Sequence, residues 1–253
     1  MVESADPCFE YLLRLGDNAL ILSHRLSEWC GHGPVLEEDL ALTNVALDLL
    51  GQAQFWLGYA GEREGRGRDA DALAYRRDAW DFRNVLLVEQ PNGDYAETMA
   101  RQFFFDTWHE LLLKELIHSR DARIADIAAK ALKEVRYHLD RSRLWVVTLG
   151  DGTEESHERM QRAVDNLWSY TGELFEVDAI DTALVAEGVA PDASQLLEPW
   201  RATVSETLRE ATLEMPGPRW MHTGGKKGVH TESLGYILAE MQFLPRAYPE
   251  ATW

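Results

Sequence analysis

The chain has 253 residues, long enough to bury one large core or two small ones, and we expect a single domain over residues 1–253. Hydrophobic residues make up 45% and charged residues 27%, a composition that excludes an intrinsically disordered chain. The net charge of −18, from 43 acidic against 25 basic residues, argues against nucleic acid as a partner.

The sequence also bears on location. Residues 1–10 are acidic and lack the basic and apolar segments of a signal peptide, so export is not expected. No run of about 18 apolar residues is present, and no membrane span is predicted. Cys8 and Cys30 are too few for a disulfide framework. Together these features predict a cytoplasmic protein with two reduced thiols.

The first part of the chain predicts two long helices followed by a shorter one. Apolar residues recur every three to four positions over 11–29 and over 36–60, which is the spacing of one helix face. Glycines and a proline at 31–34 separate the two helices. The polar, glycine-rich segment 61–71 predicts a loop, and a shorter helical stretch follows over 74–88.

The second part predicts further helices and no strand, because no alternating apolar-polar run occurs. The most aromatic helix covers 95–118, and another long one covers 122–149 and ends at a Gly-Asp-Gly turn. Smaller helices are predicted over 155–175, over 178–187, after Pro191 and over 231–244, with a loop over 216–228. Four long helices with short connections are typical of an all-α, four-helix bundle.

Three polar residues fall where these helices should be buried. Asp48 and Asp106 lie among large apolar neighbours in the middle of their helices, and His138 lies on the apolar side of the fourth long helix. A buried carboxylate is costly unless it is paired, hydrogen-bonded or bound to a metal. The sequence therefore predicts either a metal site or a polar network at these positions.

Ligand counting separates these two interpretations. Carboxylate-bridged di-iron bundles use one Glu from each of two helices and Glu-x-x-His from each of the other two. Three residues after Asp48 stands Gly51, which has no side chain. Three residues before His138 stands Val135, and Leu22 occupies the matching face of the first helix. Three of six ligands are missing, which favours a residual hydrogen-bonded network over a complete di-iron site.

A reduced metal site remains an alternative. Asp106 and His109 lie three residues apart, and Glu134 and His138 lie four apart, so each pair shares a helix face. With Asp48 these residues could form the site of an independent ferritin-like metalloenzyme. In a polar network, His138 would instead donate to Asp48 or Asp106.

Six segments, in order along nearly the whole chain, carry a resemblance to a known family. They are LRLGDN at 13–18, LSEWCGH at 26–32, DLLGQA at 48–53, LLVEQPNG at 86–93, KEVRYH at 133–138 and TGGKKGVHTE at 223–232. Together they resemble the C subunits of the bacterial phenylacetyl-CoA epoxidases.

This resemblance implies a ferritin-like subunit without catalytic residues or metal ligands of its own. Asp48, Asp106 and His138 would be vestigial ligand-like positions. The implied partner is a homologous catalytic subunit that carries a di-iron centre and epoxidises the ring of phenylacetyl-CoA, using O₂ and electrons from a separate reductase. Small accessory subunits complete the implied complex, and self-association of this chain is a further possibility.

The loop before the last helix is a candidate binding surface. Gly224, Gly225 and Gly228 expose backbone N–H groups beside Lys226 and Lys227, which could hold a phosphate of coenzyme A. The loop matches no complete phosphate-binding motif, so a contact with the partner subunit and a solvated turn are the alternatives.

Four aromatic residues in the C-terminal half are candidates for a partner interface, because Trp and Tyr are favoured at hot spots. They are Trp168, Tyr170, Trp200 and Trp220. The alternative is that they belong to the core.

Overall fold

The computed structural model describes residues 6–251, which form helices and connecting segments without a strand. The predicted all-α class is confirmed, and the arrangement is consistent with a ferritin-like fold. The α-helices are α1 Pro7–Ser27, α2 Leu36–Glu64, α3 Ala70–Tyr75, α4 Tyr95–Leu116, α5 Ala122–Gly150, α6 Glu154–Trp168, α7 Ala179–Glu187, α8 Leu197–Glu210, α9 Glu232–Met241 and α10 Phe243–Ala247.

These helices group into two compact units. Unit 1 contains the described residues up to Pro91 together with those from Gly224 onward, and unit 2 runs from Asn92 to Thr223. The chain therefore leaves unit 1, builds unit 2 and returns. The single domain expected over residues 1–253 stays a prediction.

Unit 1 is built on the antiparallel pair α1 and α2. Asp6 caps α1 by accepting from the Cys8 N–H at 3.0 Å, and Pro7 occupies the first helical turn, where no N–H is needed. α1 is buried on nearly all sides. α2 begins with three acidic residues, which its dipole favours, and ends at Gly65 in the left-handed conformation.

The segment between α2 and α4 differs from the sequence prediction. α2 continues through Glu64, so the loop expected over 61–71 is shorter. The helix expected over 74–88 is wrong, because only Ala70–Tyr75 and the 3₁₀ turn Ala79–Asp81 are helical. The residues that follow are mostly buried and irregular, and polar side chains form hydrogen bonds with their backbone groups.

Unit 2 is built on the antiparallel pair α4 and α5, with α6 and α8 packed against both. The predicted bounds of α4 and α5 agree with the structure to within two residues. Asp94 and Asp121 cap them by accepting from backbone N–H groups of the first turn. The single helix expected over 155–175 is α6 followed by a 3₁₀ turn over Gly172–Phe175.

The described residues also include both cysteines and all ten α-helices. Cys8 is buried and Cys30 is exposed, and both are free thiols. Within 6–251, none of the helices combines the length and apolarity that crossing a membrane requires.

Candidate functional site

The middle of α4 and the facing part of α5 enclose a polar cluster inside unit 2. Asp106 is 1% exposed, His109 is 5% exposed, and His138 and Ser142 are each 1% exposed. The large aromatic side chains of α4 surround the cluster, with the Phe105 and His109 rings 5.1 Å apart. The predicted burial of Asp106 and His138 is thus confirmed.

Neutral groups hold the Asp106 carboxylate. The Ser142 hydroxyl donates to Oδ2 at 2.8 Å, and the Gln102 amide donates to Oδ1 at 3.2 Å. The Gln102 Oε1 and His109 Nδ1 atoms are buried and have no hydrogen-bond partner among residues 6–251. The cluster is therefore hydrogen-bonded at its centre and incompletely satisfied at its edge.

Burial dominates the protonation of this cluster. Loss of hydration raises the pKa of Asp106 to about 6, although His138, the Ser142 hydrogen bond and Arg141 oppose the rise. Burial, together with a smaller effect of the nearby His138, lowers the pKa of His109 to about 3. At neutral pH His109 is a neutral imidazole, while Asp106 carries a charge that its surroundings disfavour.

The donor set does not match that of a carboxylate-bridged di-iron centre. Both oxygens of Asp106 accept hydrogen bonds, and fully buried Val135 occupies the position of the second Glu. Across the described part of the chain, no group of three or more His, Cys, Asp and Glu side chains is arranged to hold a metal ion.

The other candidate ligands lie elsewhere on their helices. Asp48 is half-buried on α2, between the exposed Leu47 and the buried Leu49, instead of deep in the core as expected. Glu134 is also half-buried, one turn before His138 on α5. Asp48 belongs to unit 1, and Glu134 and His138 belong to unit 2.

The glycine-lysine loop of unit 1 is attached to the irregular segment by a buried carboxylate that the sequence analysis missed. Glu89 is fully buried and accepts from the Thr231 N–H at 2.6 Å and from the Asn84 amide at 2.9 Å. His230 lies 2.9 Å from Glu89 through Nδ1 and 3.0 Å from the Phe82 carbonyl through Nε2.

Two of the loop glycines are required by this attachment. A Cβ on Gly225 would lie 2.2 Å from the Asn84 carbonyl oxygen, and one on Gly228 would lie 2.2 Å from the Trp80 carbonyl oxygen. Gly228 also has a positive φ of 79°. Close packing within unit 1 thus accounts for both glycines. Phosphate binding by Gly224, Gly225, Lys226, Lys227 and Gly228 stays a prediction, with Lys226 half-buried and Lys227 exposed.

A second buried acid of unit 1 was also missed. Asp17 is fully buried and forms a bidentate ion pair with Arg77, in which Nη1 donates to Oδ2 at 3.0 Å and Nη2 donates to Oδ1. The Arg83 N–H donates to the same carboxylate at 2.8 Å. The signal in the sequence was an acid in the middle of a long helix with many apolar residues, but its partner lies 60 residues away.

The four aromatic interface candidates divide between core and surface. Trp168 and Trp200 are buried, in agreement with the alternative that they belong to the core. The Trp200 indole N–H donates to the Phe104 carbonyl at 2.9 Å, which satisfies its polar atom inside the core. Tyr170 is half-buried and stacks on His222, while Trp220 is 73% exposed.

The fold and the buried cluster together define a class of protein. It is an all-α chain, consistent with a ferritin-like fold, whose polar cluster between helices lacks the bridging carboxylates of a di-iron site. A family model described as phenylacetic acid catabolic protein matches residues 2–253. The chain therefore belongs to that family.

One relative is close over almost its full length. The C subunit of 1,2-phenylacetyl-CoA epoxidase from Escherichia coli (strain K12) is 55% identical over 243 residues, which cover 96% of this chain and 98% of the relative.

Proposed function

We propose that this chain is the non-catalytic structural subunit of a multicomponent 1,2-phenylacetyl-CoA epoxidase in aerobic phenylacetate degradation. It would pair with a homologous subunit that carries the di-iron centre, in a cytoplasmic complex completed by a reductase and small accessory subunits. The family membership and the 55% identity to the E. coli epoxidase subunit support the pathway and the complex.

The observation that carries the non-catalytic role is the state of Asp106. A carboxylate that bridges metal ions directs its oxygen lone pairs at the metals, whereas both Asp106 oxygens accept from Ser142 and Gln102. Val135 leaves the adjacent face of α5 apolar. These residues support a role in fixing the packing of α4 against α5 and leave the chemistry to the partner.

The first test is metal content. The chain purified alone should contain well under one iron per chain, and the complex with the catalytic subunit should contain iron at the partner's stoichiometry. About two metal ions bound per isolated chain would instead support the independent metalloenzyme, with Asp48, Asp106, His109, Glu134 and His138 as its candidate ligands.

A second test uses activity of the assembled complex. Asp106→Asn and His138→Gln should leave kcat for ring epoxidation within about twofold of wild type, because neither side chain would touch substrate or metal. A loss of a hundredfold or more in a complex that still assembles would contradict the non-catalytic role.

The loop prediction needs its own measurement. If Lys226 and Lys227 contact coenzyme A phosphates, replacing both with Ala should weaken binding of a CoA ester to the complex at least tenfold. Unchanged affinity would reject the contact, and the structural role of the loop glycines would remain.

A further inference from the structure

One face of α2 exposes a row of leucines. Leu36 is 70% exposed, Leu40 55%, Leu47 59% and Leu50 39%. Their spacing follows the alternation of three and four residues that forms a coiled-coil seam, with Thr43 and Gln54 at the intervening positions. We call Leu36, Leu40, Leu47 and Leu50 the α2 seam.

The opposite face of α2 is already occupied by the core of the protein. Leu42, Leu49 and Trp56 on that face are each at most 1% exposed. A helix face that is apolar is normally buried, whereas the described residues cover only one of the two apolar faces of α2. Contiguous exposed apolar surface on a folded protein marks a site of interaction.

A groove lies beside the α2 seam within unit 1. It has a volume of about 370 Å³, and its lining includes Leu47, Leu50 and Gly51 of α2 and Ala74 and Tyr75 of α3. Such a groove is large enough to accept side chains that project from a helix laid along α2. Apolar anchors inserted into pockets of this kind carry much of the energy of an interface.

Glycines on the same face indicate close approach of a backbone. A Cβ built on Gly51 or on Gly58 meets nothing within 4 Å, so packing among residues 6–251 requires neither glycine. Glycine inside a helix is less stable than alanine. A neighbouring helix that packs closely against α2 gives a reason for both.

Charge identifies the kind of helix that would fit. From Leu36 to Glu62 α2 contains no Lys or Arg, and acids including Glu37, Asp48 and Glu62 accompany the seam. A second copy of this chain, with its own net charge of −18, would bring acids against acids. A helix of a different chain, with Lys and Arg beside its apolar positions, would be complementary.

We propose that the α2 seam is the docking surface for such a helix, apolar at its centre and basic at its edges, from the partner subunit. The identity of the partner rests on the proposed function. The chemistry of the surface rests on the exposed leucines, the groove, the two glycines and the acidic edge.

The experiment measures affinity of the full chain for the purified catalytic subunit by titration calorimetry. Leu47→Glu should weaken binding at least tenfold, because it places a charge in the centre of the apolar contact. Leu144→Glu is the matched control, since Leu144 is a 63% exposed leucine on α5 and should leave the affinity within twofold. Circular dichroism should show both variants folded.

Two further variants sharpen the test. Glu37→Lys should weaken binding at low ionic strength, and the difference from wild type should disappear at high salt. Gly51→Ala should raise the Tm of the isolated chain and lower its affinity for the partner. Gly235→Ala, another helical glycine in open space, should raise the Tm without changing the affinity.

The outcomes separate this inference from the proposed function. Wild-type binding that Leu47→Glu leaves unchanged, or that Leu144→Glu weakens equally, overturns the docking surface while the pairing stands. A wild-type chain that does not bind the catalytic subunit overturns both. Self-association of the isolated chain that Leu47→Glu abolishes would assign the seam to a second copy and reject the basic partner.

Discussion

Asp17 and Glu89 of unit 1 are buried in different surroundings from Asp106 of unit 2. In unit 1, Asp17 meets the guanidinium of Arg77, and Glu89 meets a backbone N–H, an amide and an imidazole. In unit 2, Asp106 meets one hydroxyl and one amide. The pKa of Asp106 is raised to about 6 because these two neutral donors do not replace the hydration that burial removes.

This difference separates two reasons for placing an acid inside a protein. The acids of unit 1 join segments distant in sequence and hold irregular backbone that has no ladder or helix of its own. Asp106 lies between two regular helices that need no such support, so its charge lowers the stability of the native state at neutral pH. This cost is consistent with the proposal that Asp106 is a vestigial ligand-like position.

The largest effect is expected from removing the acid with the strongest charged partner. Asp17→Ala should lower the free energy of unfolding by about 3–5 kcal/mol, because it leaves the guanidinium of Arg77 buried without its counter-charge. Urea unfolding followed by circular dichroism measures this. A loss below about 1 kcal/mol would show that the buried pair is not the main support of the irregular segment.

Asp106→Asn should raise the free energy of unfolding instead of lowering it. The folded-state pKa of about 6 lies above the ordinary value of 3.8, so the native state binds the proton more tightly and stability falls as pH rises from about 4 to 6. The variant should therefore be more stable than wild type above pH 7, by up to about 3 kcal/mol, with the gain vanishing near pH 4. Reorientation of the Gln102 amide can preserve a hydrogen bond to Asn.

The measurement is the free energy of unfolding of Asp106→Asn minus that of wild type, at several pH values. His109 contributes an opposing slope, because its lowered pKa favours the unfolded state as the solution becomes acidic, and the subtraction largely removes it. Asp140→Asn, an acid at the surface of α5, is the control and should show no such pH-dependent gain. Destabilisation by Asp106→Asn at pH 7.5 would contradict the view of Asp106 as a costly remnant.

Glu89→Gln tests the second acid of unit 1. It keeps the size of the side chain and removes its charge, so the expected loss is about 2 kcal/mol, the usual scale for hydrogen bonds to a charged group. The loop that contains Lys226 and Lys227 should also be cut faster by trypsin, since Glu89 holds His230 and Thr231 at its end. Glu240→Gln, an exposed acid on α9, should change neither the stability nor the cleavage rate.

The smallest effect is expected at an exposed ion pair that, like Asp17 and Arg77, joins an aspartate to an arginine. Arg63 donates to Asp6 at 2.7 Å, with the two side chains 40% and 34% exposed. Arg63→Met should cost less than about 1 kcal/mol in urea unfolding, because water already screens this pair. A cost close to that of Asp17→Ala would mean that burial does not explain the contrast between these ion pairs.

Much of the fold could be predicted from the pattern of apolar residues. The bounds of α4 and α5 are set locally, by the caps Asp94 and Asp121 and by the turn after Gly150, and each of these signals acts within a few residues of itself. The burial of Asp106 and His138 follows from their apolar neighbours along the helix. The half-exposure of Asp48 could not be predicted in this way, because α2 has apolar residues on both faces.

The sequence by itself determined most of the helices and the family resemblance, since these depend on residues near each other in the chain. Only the tertiary structure decided how Glu89 meets His230 and how Asp17 meets Arg77, because 141 and 60 residues separate the partners and no local pattern encodes such contacts. It also decided which apolar face of α2 stays exposed. Helical periodicity shows that a face is apolar, but the neighbours that cover it are set by the packing of the whole chain.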